Sequence, residues 1–132
     1  MVRSGFEASV RPGPLRRFVS AVWVVSIGAV CYVSLVPKVE FPLDFEGADL
    51  AYHALAYLWL SILPFVVFGD EKRRLLAAFL MIPLGIALEM GQSFVPGRTF
   101  SILDMAANSC GTLLGVICGK YLHGVIGSML KL

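Results

Sequence analysis

Charge is scarce in this sequence. Asp, Glu, Lys and Arg together make up 15% of its 132 residues, against about 25% in an ordinary soluble domain. The net charge is only +2, and no basic stripe marks a nucleic-acid surface. Cysteine is sparse as well: Cys31, Cys110 and Cys118 are odd in number, make no CxxC pair and sit in apolar stretches. They read as small buried hydrophobes rather than as a disulfide or metal framework. HExxH, GxSxG and the membrane phosphatase motifs are missing too. What is plentiful is apolar surface, at 58% hydrophobic residues and a mean hydropathy of +0.80. A single small domain cannot hide that much from water. The balance excludes a soluble enzyme, a disordered chain and a nucleic-acid-binding module. It leaves a protein whose solvent is the bilayer.

Four stretches meet the requirement of about 20 mostly apolar residues for a membrane span. They run from Phe18 to Val36, Leu50 to Phe68, Leu75 to Val95 and Phe100 to Gly119. Short connections make consecutive helices antiparallel neighbours, so the expected fold is an all-α up-down bundle of four transmembrane helices. Pro64 and Pro83 fall inside the second and third spans and should bend them. The N-terminal apolar run is too long for the core of a cleaved signal, and Val30 before Cys31 fits a lipoprotein site poorly. It is expected to stay as a helix. Residues 1–17 form a basic leading segment, and 122–132 a short tail that extends the last helix or lies along the surface.

Lys and Arg set the expected direction. Arg3, Arg11, Arg16 and Arg17 precede the first span, Lys72, Arg73 and Arg74 fill the turn between the second and third, and Lys120 and Lys131 follow the fourth. Only Lys38 and Arg98 fall on the other side. Both termini are therefore expected in the cytoplasm of a multi-pass inner-membrane protein. The acidic 37–49 connection, with Glu40, Asp44, Glu46 and Asp49, faces outward on this reading.

Direction then groups the polar residues. Asp49, His53 and Tyr57 follow one another at i, i+4 on the second span and share a face. Glu89 and Gln92 share a face near the end of the third. Asp104 and Asn108, again i, i+4, start the fourth, and Arg98 lies in the connection between them. Seven of these side chains, all but Tyr57, reach one depth in the outer leaflet. A charge in a span costs about 2.5 kcal/mol or more, so such residues normally face a bundle interior or a watery cavity. Taken one at a time, each has an ordinary explanation as interhelical glue or an ion pair; the convergence of all seven favours a site. Gly111, Gly115 and Gly119 form a GxxxGxxxG stripe suited to close helix packing, and Gly85 offers the same on the third span.

These residues carry a resemblance. Asp49-x-x-x-His53-x-x-x-Tyr57, then Gly85-x-x-x-Glu89-x-x-Gln92-x-Phe94-x-Pro96-x-Arg98-x-x-Ser101-x-x-Asp104-x-x-x-Asn108-x-x-Gly111-x-x-x-Gly115, is similar to the VanZ-like membrane proteins. Leu50 stands where that family usually has lysine, so the basic partner beside Asp49 is missing. The resemblance implies a small multi-span protein of the bacterial cell envelope, in a family some of whose members are associated with resistance to glycopeptides such as teicoplanin.

Two classes of function fit the constellation. In the first, the cleft binds an envelope lipid, a lipid-linked precursor or a glycopeptide-type ligand. Arg98 then contacts an anion, Asn108 and Gln92 give neutral hydrogen bonds, and Tyr57, Glu89 and Asp104 complete the lining. The acidic majority opposes phosphate unless a proton or cation intervenes. In the second, Asp49, His53, Glu89 and Asp104 hold a divalent cation, the candidate cofactor, or act as an acid–base set in hydrolysis or transfer at a lipid-linked phosphate or ester. Ion translocation needs polar groups across the whole depth, and the inner halves offer only Ser61 and Thr112. Expected partners are the bilayer, a lipid or lipid-linked ligand and a second copy of the chain, with no nucleic acid.

Overall fold

A chain crossing a bilayer must satisfy each backbone N–H and C=O without water, and a helix does so within its own segment. The computed structural model describes residues 12–37, 40, 42 and 45–130, with side chains through residue 128. Among these residues the regular structure is entirely helical. Arg3, Arg11, Lys38, Asp44 and Lys131, used above to assign direction, lie outside the described residues.

Helix α1 (Pro14–Leu35) opens on a proline, whose missing N–H costs nothing in a first turn. Helix α2 (Ala48–Ile62) starts from Gly47, held at φ 83°, a left-handed conformation natural to glycine. The second span then breaks at Leu63, and a short α3 (Pro64–Val67) completes it. The third span breaks in the same way. Helix α4 (Glu71–Phe79) gives way at Leu80 to α5 (Met81–Gln92); Pro83 has no N–H to offer the carbonyl four residues back. Helix α6 (Ile102–Leu130) is continuous. Four units, Pro14–Leu35, Ala48–Val67, Glu71–Gln92 and Ile102–Ser128, are long and apolar enough to cross a membrane.

Several boundaries differ from the sequence expectation, for local reasons. The third span begins at Glu71 because Asp70 caps it, accepting from the amides of Lys72 at 3.1 Å and Arg73 at 3.3 Å. Lys72, Arg73 and Arg74 therefore occupy its first turn rather than a connecting turn. The span ends at Gln92, before a turn in which Gly97 adopts φ 81°. No breaker follows Gly119 closely, so residues 122–130 continue α6 and form no separate tail. Cys110 and Cys118 are exposed on the surface that meets lipid, and Cys31 is half-buried; apolar sequence around a residue does not specify an inward face when lipid is the solvent.

The helices run up and down, as contacts at both ends record. At the turn end, Arg16 near the start of α1 donates to Val67 O at the close of α3, and Lys120 of α6 pairs with Glu71 of α4. At the opposite, loop end, the second turns of α2 and α6 meet through His53 and Asn108. The most extensive packing joins α2 to α6. A Cβ on Gly111 would run into Ala54 O, one on Gly115 would come to 2.7 Å from Leu58 O, and one on Gly119 would strike the Phe65 ring. The glycine stripe is thus the seam against the second span. Tyr57, Leu60 and Met81 form a second packed cluster, against which Trp23, Ile27 and Val30 of α1 rest. Two indole N–H groups pin α1 further: Trp23 donates to Leu60 O at 2.9 Å and Trp59 to Ser26 Oγ at 3.1 Å.

Candidate functional site

The glycine seam brings the first two turns of α2 and α6 close enough for their polar faces to interlock. His53 Nδ1 lies 2.9 Å from Asn108 Oδ1, and its Nε2 lies 3.5 Å from Asp104 Oδ2. One imidazole is thereby held between an amide and a carboxylate from successive turns of a single helix. The i, i+4 spacing of Asp104 and Asn108 makes this grip possible. Helix α5 approaches the same place through Gly85. A Cβ there would stand 3.0 Å from the Tyr57 ring and 3.2 Å from Asn108 Nδ2, so the glycine makes room for both. Tyr57, Gln92 and Asn108 are buried.

Glu89, one turn above Gly85, is the most enclosed charged residue, with 1% of its surface exposed. Its Oε1 accepts the Ser101 N–H at 2.6 Å. Ser101 in turn caps α6, its Oγ accepting the Asp104 N–H at 3.2 Å. Glu89 and Asp104 are therefore linked through a single serine. Glu89 Oε2 is buried with no hydrogen-bond partner among the described residues, and the hydroxyls of Ser61 and Thr112 share that condition. Such a group costs about 1–3 kcal/mol, so an oxygen left this way marks where a water or ligand donor belongs.

Above this set opens a pocket of about 280 Å³. Asp49, Asp104 and Ser101 give it polar walls, and Phe45, Leu50 and Leu103 give it apolar ones. Asp49 is exposed at the mouth, one turn above His53. With Leu50 as its neighbour, no basic side chain lines the cavity among the described residues.

Arg98 is placed differently from the expectation. Its hydrogen bonds go away from Glu89 and Asp104. Nε donates to Val36 O at 3.2 Å and Nη2 to Val33 O at 2.8 Å, so the fork closes the C-terminal end of α1. It is a helix cap in this arrangement. The four residues weighed as metal ligands, Asp49, His53, Glu89 and Asp104, do not converge either. Among the described residues no three of His, Cys, Asp and Glu gather closely enough to hold a metal ion.

Ser101 is the functional residue that spacing alone left unassigned to the site. Its signal was present, since Ser-x-x-Asp ahead of an apolar run is a helix N-terminus signature. Phe45 and Leu103 carry no comparable mark.

Comparison with known proteins follows from this geometry. A sequence model of the family described as VanZ/LLP1 matches residues 16–123, which take in most or all of each span and every residue of the cluster. An uncharacterized protein of Schizosaccharomyces pombe, C11E3.10, is 25% identical over 112 residues, covering 83% of this chain and 67% of that protein. No solved structure matches.

Proposed function

The chain belongs to the VanZ/LLP1 family, and from that premise we propose that it is a membrane protein that binds the polar head of an envelope lipid or lipid-linked ligand in the pocket at its loop end. One observation carries the reading: Glu89 is buried with Oε2 unpartnered, beside the Asp104–His53–Asn108 chain and beneath a pocket with acidic and apolar walls. A carboxylate is expensive at this depth, and packing alone would be served as well by an apolar residue. The walls also choose the ligand's chemistry. With two carboxylates, the Ser101 hydroxyl and no basic side chain among the described lining residues, the pocket favours a group that donates hydrogen bonds, such as an ammonium or amino-sugar head, over a bare phosphate. Phe45, Leu50 and Leu103 suit the apolar part of the same molecule.

On the distribution of Lys and Arg, this end faces outward and both termini are cytoplasmic. A pocket opening to the outer leaflet of a bacterial inner membrane is placed to meet cell-envelope lipids, lipid-linked precursors or a glycopeptide such as teicoplanin. The test uses a photoreactive phosphatidylethanolamine in detergent-solubilised protein. Glu89→Gln and Asp104→Asn should each reduce labelling of the pocket about tenfold or more while thermal stability stays near that of the parent. Undiminished labelling in both variants at normal abundance would sink the proposal.

A second reading, an acid–base enzyme acting on a lipid-linked phosphate or ester, draws on the His53 ring. An imidazole held between Asn108 and Asp104 has a fixed orientation, as general acid–base work requires. On that reading His53→Gln abolishes turnover of a lipid-linked substrate yet leaves phosphatidylethanolamine labelling in place. Binding alone predicts no turnover in the parent protein.

A further inference from the structure

The turn end carries a second pocket, of about 200 Å³, lined by Arg16, Phe65, Phe68, Leu122, His123 and Ile126 among others. Its volume is far above the roughly 30 Å³ that a water occupies. It is formed by the short α3 that follows Pro64 and by α6, which runs on past Gly119 to supply Leu122, His123 and Ile126. The two polar members hold carbonyls of α3: Arg16 Nε and Nη2 donate to Val67 O at 3.0 and 2.8 Å, and His123 Nδ1 lies 3.2 Å from Phe65 O. These bonds involve one edge of the guanidinium. A guanidinium has five donors in a planar fork, so the Nη1 edge remains available to a further acceptor.

The charge around the pocket is one-sided. Arg16, Arg17, Lys72, Arg73, Arg74 and Lys120 gather at this end against Asp70 and Glu71. Both acids already have partners: Asp70 faces Arg73 at 3.4 Å and Glu71 faces Lys120 at 3.6 Å. No carboxylate lines the pocket among the described residues. The cavity therefore combines a fork suited to phosphate, an apolar wall continuous with the lipid-facing surface, and a surplus of positive charge at the depth where lipid heads lie. A basic pocket between transmembrane helices of this kind recognises anionic lipid heads.

We propose that this pocket binds one anionic phospholipid, with Arg16 contacting the phosphate and the Phe65–Leu122–Ile126 wall receiving the start of an acyl chain. The site is separate from the acidic pocket at the loop end and selects the opposite charge.

Native mass spectrometry of the full chain in detergent, titrated with phosphatidylglycerol, phosphatidylcholine of matched chains or inorganic phosphate, tests this directly. One phosphatidylglycerol should bind roughly ten- to a hundredfold more tightly than phosphatidylcholine: both offer the fork a phosphate, but the choline cation meets the surrounding positive charge, a like-charge contact that is costly; inorganic phosphate should not compete. Ile126→Trp, which fills the cavity and keeps every charge, should abolish the preference. Lys72→Gln, which removes an exposed charge outside the lining, should leave it nearly intact. Arg16→Lys should weaken it by losing the fork while still tethering α3. Equal binding of the two lipids overturns the proposal. So does a preference that survives Ile126→Trp but falls with Lys72→Gln, since that pattern belongs to diffuse surface charge. Phosphate displacing the lipid assigns the site to a free anion and also overturns it.

Discussion

Adding a single methyl group at Gly111 should unseat the helix pair on which the loop-end pocket depends. The new Cβ would collide with Ala54 O and stand 2.9 Å from Ala54 C and 3.0 Å from its Cα. These are backbone atoms of α2, so relief requires moving a whole helix and not a side chain. At Gly115 the obstruction is milder, with Leu58 O and Ser61 Cβ each at 2.7 Å; reaching ordinary contact at 3.4 Å means opening the seam by about 0.7 Å. At Gly119 the obstruction is the buried Phe65 side chain, whose Cγ at 2.7 Å requires that side chain to shift but no backbone to move. Gly124 lies on the same helix with nothing within 4 Å. Gly→Ala brings the same gain in helix propensity, about 1 kcal/mol, at every such site, so the difference between two sites isolates the steric cost. Overpacking costs about 1–3 kcal/mol, and Gly111→Ala should therefore be less stable than Gly124→Ala by that amount. The ratio of folded to unfolded protein would differ roughly 5- to 150-fold. Unfolding of the purified chain in mixed micelles, followed by circular dichroism as the fraction of denaturing detergent rises, measures it. The expected order of stability is Gly124→Ala, Gly119→Ala, Gly115→Ala, Gly111→Ala. A Gly111→Ala protein as stable as Gly124→Ala would refute the close seam.

Three further outcomes follow from single contacts. Arg98→Gln removes the fork from Val33 O and Val36 O and should cost about 1.5–3 kcal/mol, with faster hydrogen exchange in the last turn of α1. Ser101→Ala deletes the cap on the Asp104 amide and should cost about 1 kcal/mol, while the backbone bond to Glu89 persists because it uses the main chain. Cysteines introduced at Glu46 and Arg73 should label from opposite sides of the membrane, Glu46 from outside; the reverse labelling would overturn the orientation.

Local periodicity carried much of the architecture. An apolar run of adequate length means a span, an internal proline means an interruption, and i, i+4 spacing puts Asp49, His53 and Tyr57 on one face whatever they meet. The grip of Asp104 and Asn108 on His53 was legible because both helices begin at the same end of the bundle. Other features depended on distances that spacing does not encode. Arg98 has a long side chain and reached carbonyls 62 and 65 residues away in sequence, although its neighbours in the chain are Glu89 and Asp104. The four candidate metal ligands shared a depth but not a point, because depth follows from residue count and lateral position from packing. The exact ends of the spans were set by caps at Asp70 and Ser101, which act through single hydrogen bonds and not through hydrophobicity.

The attachment of α1 has a consequence for the order of assembly. This helix buries none of its residues and is held by indoles in its middle and by guanidinium forks at its two ends. One fork, Arg16, is its own, but the other, Arg98, belongs to the connection that precedes the last span. The carbonyls that end a helix have no partner within it, and in hydrocarbon they cannot turn to water. During synthesis α1 precedes the other three spans, yet Val33 O and Val36 O must wait for more than sixty further residues before their donor exists. Its end is thus capped only when the third span has crossed and delivered Arg98.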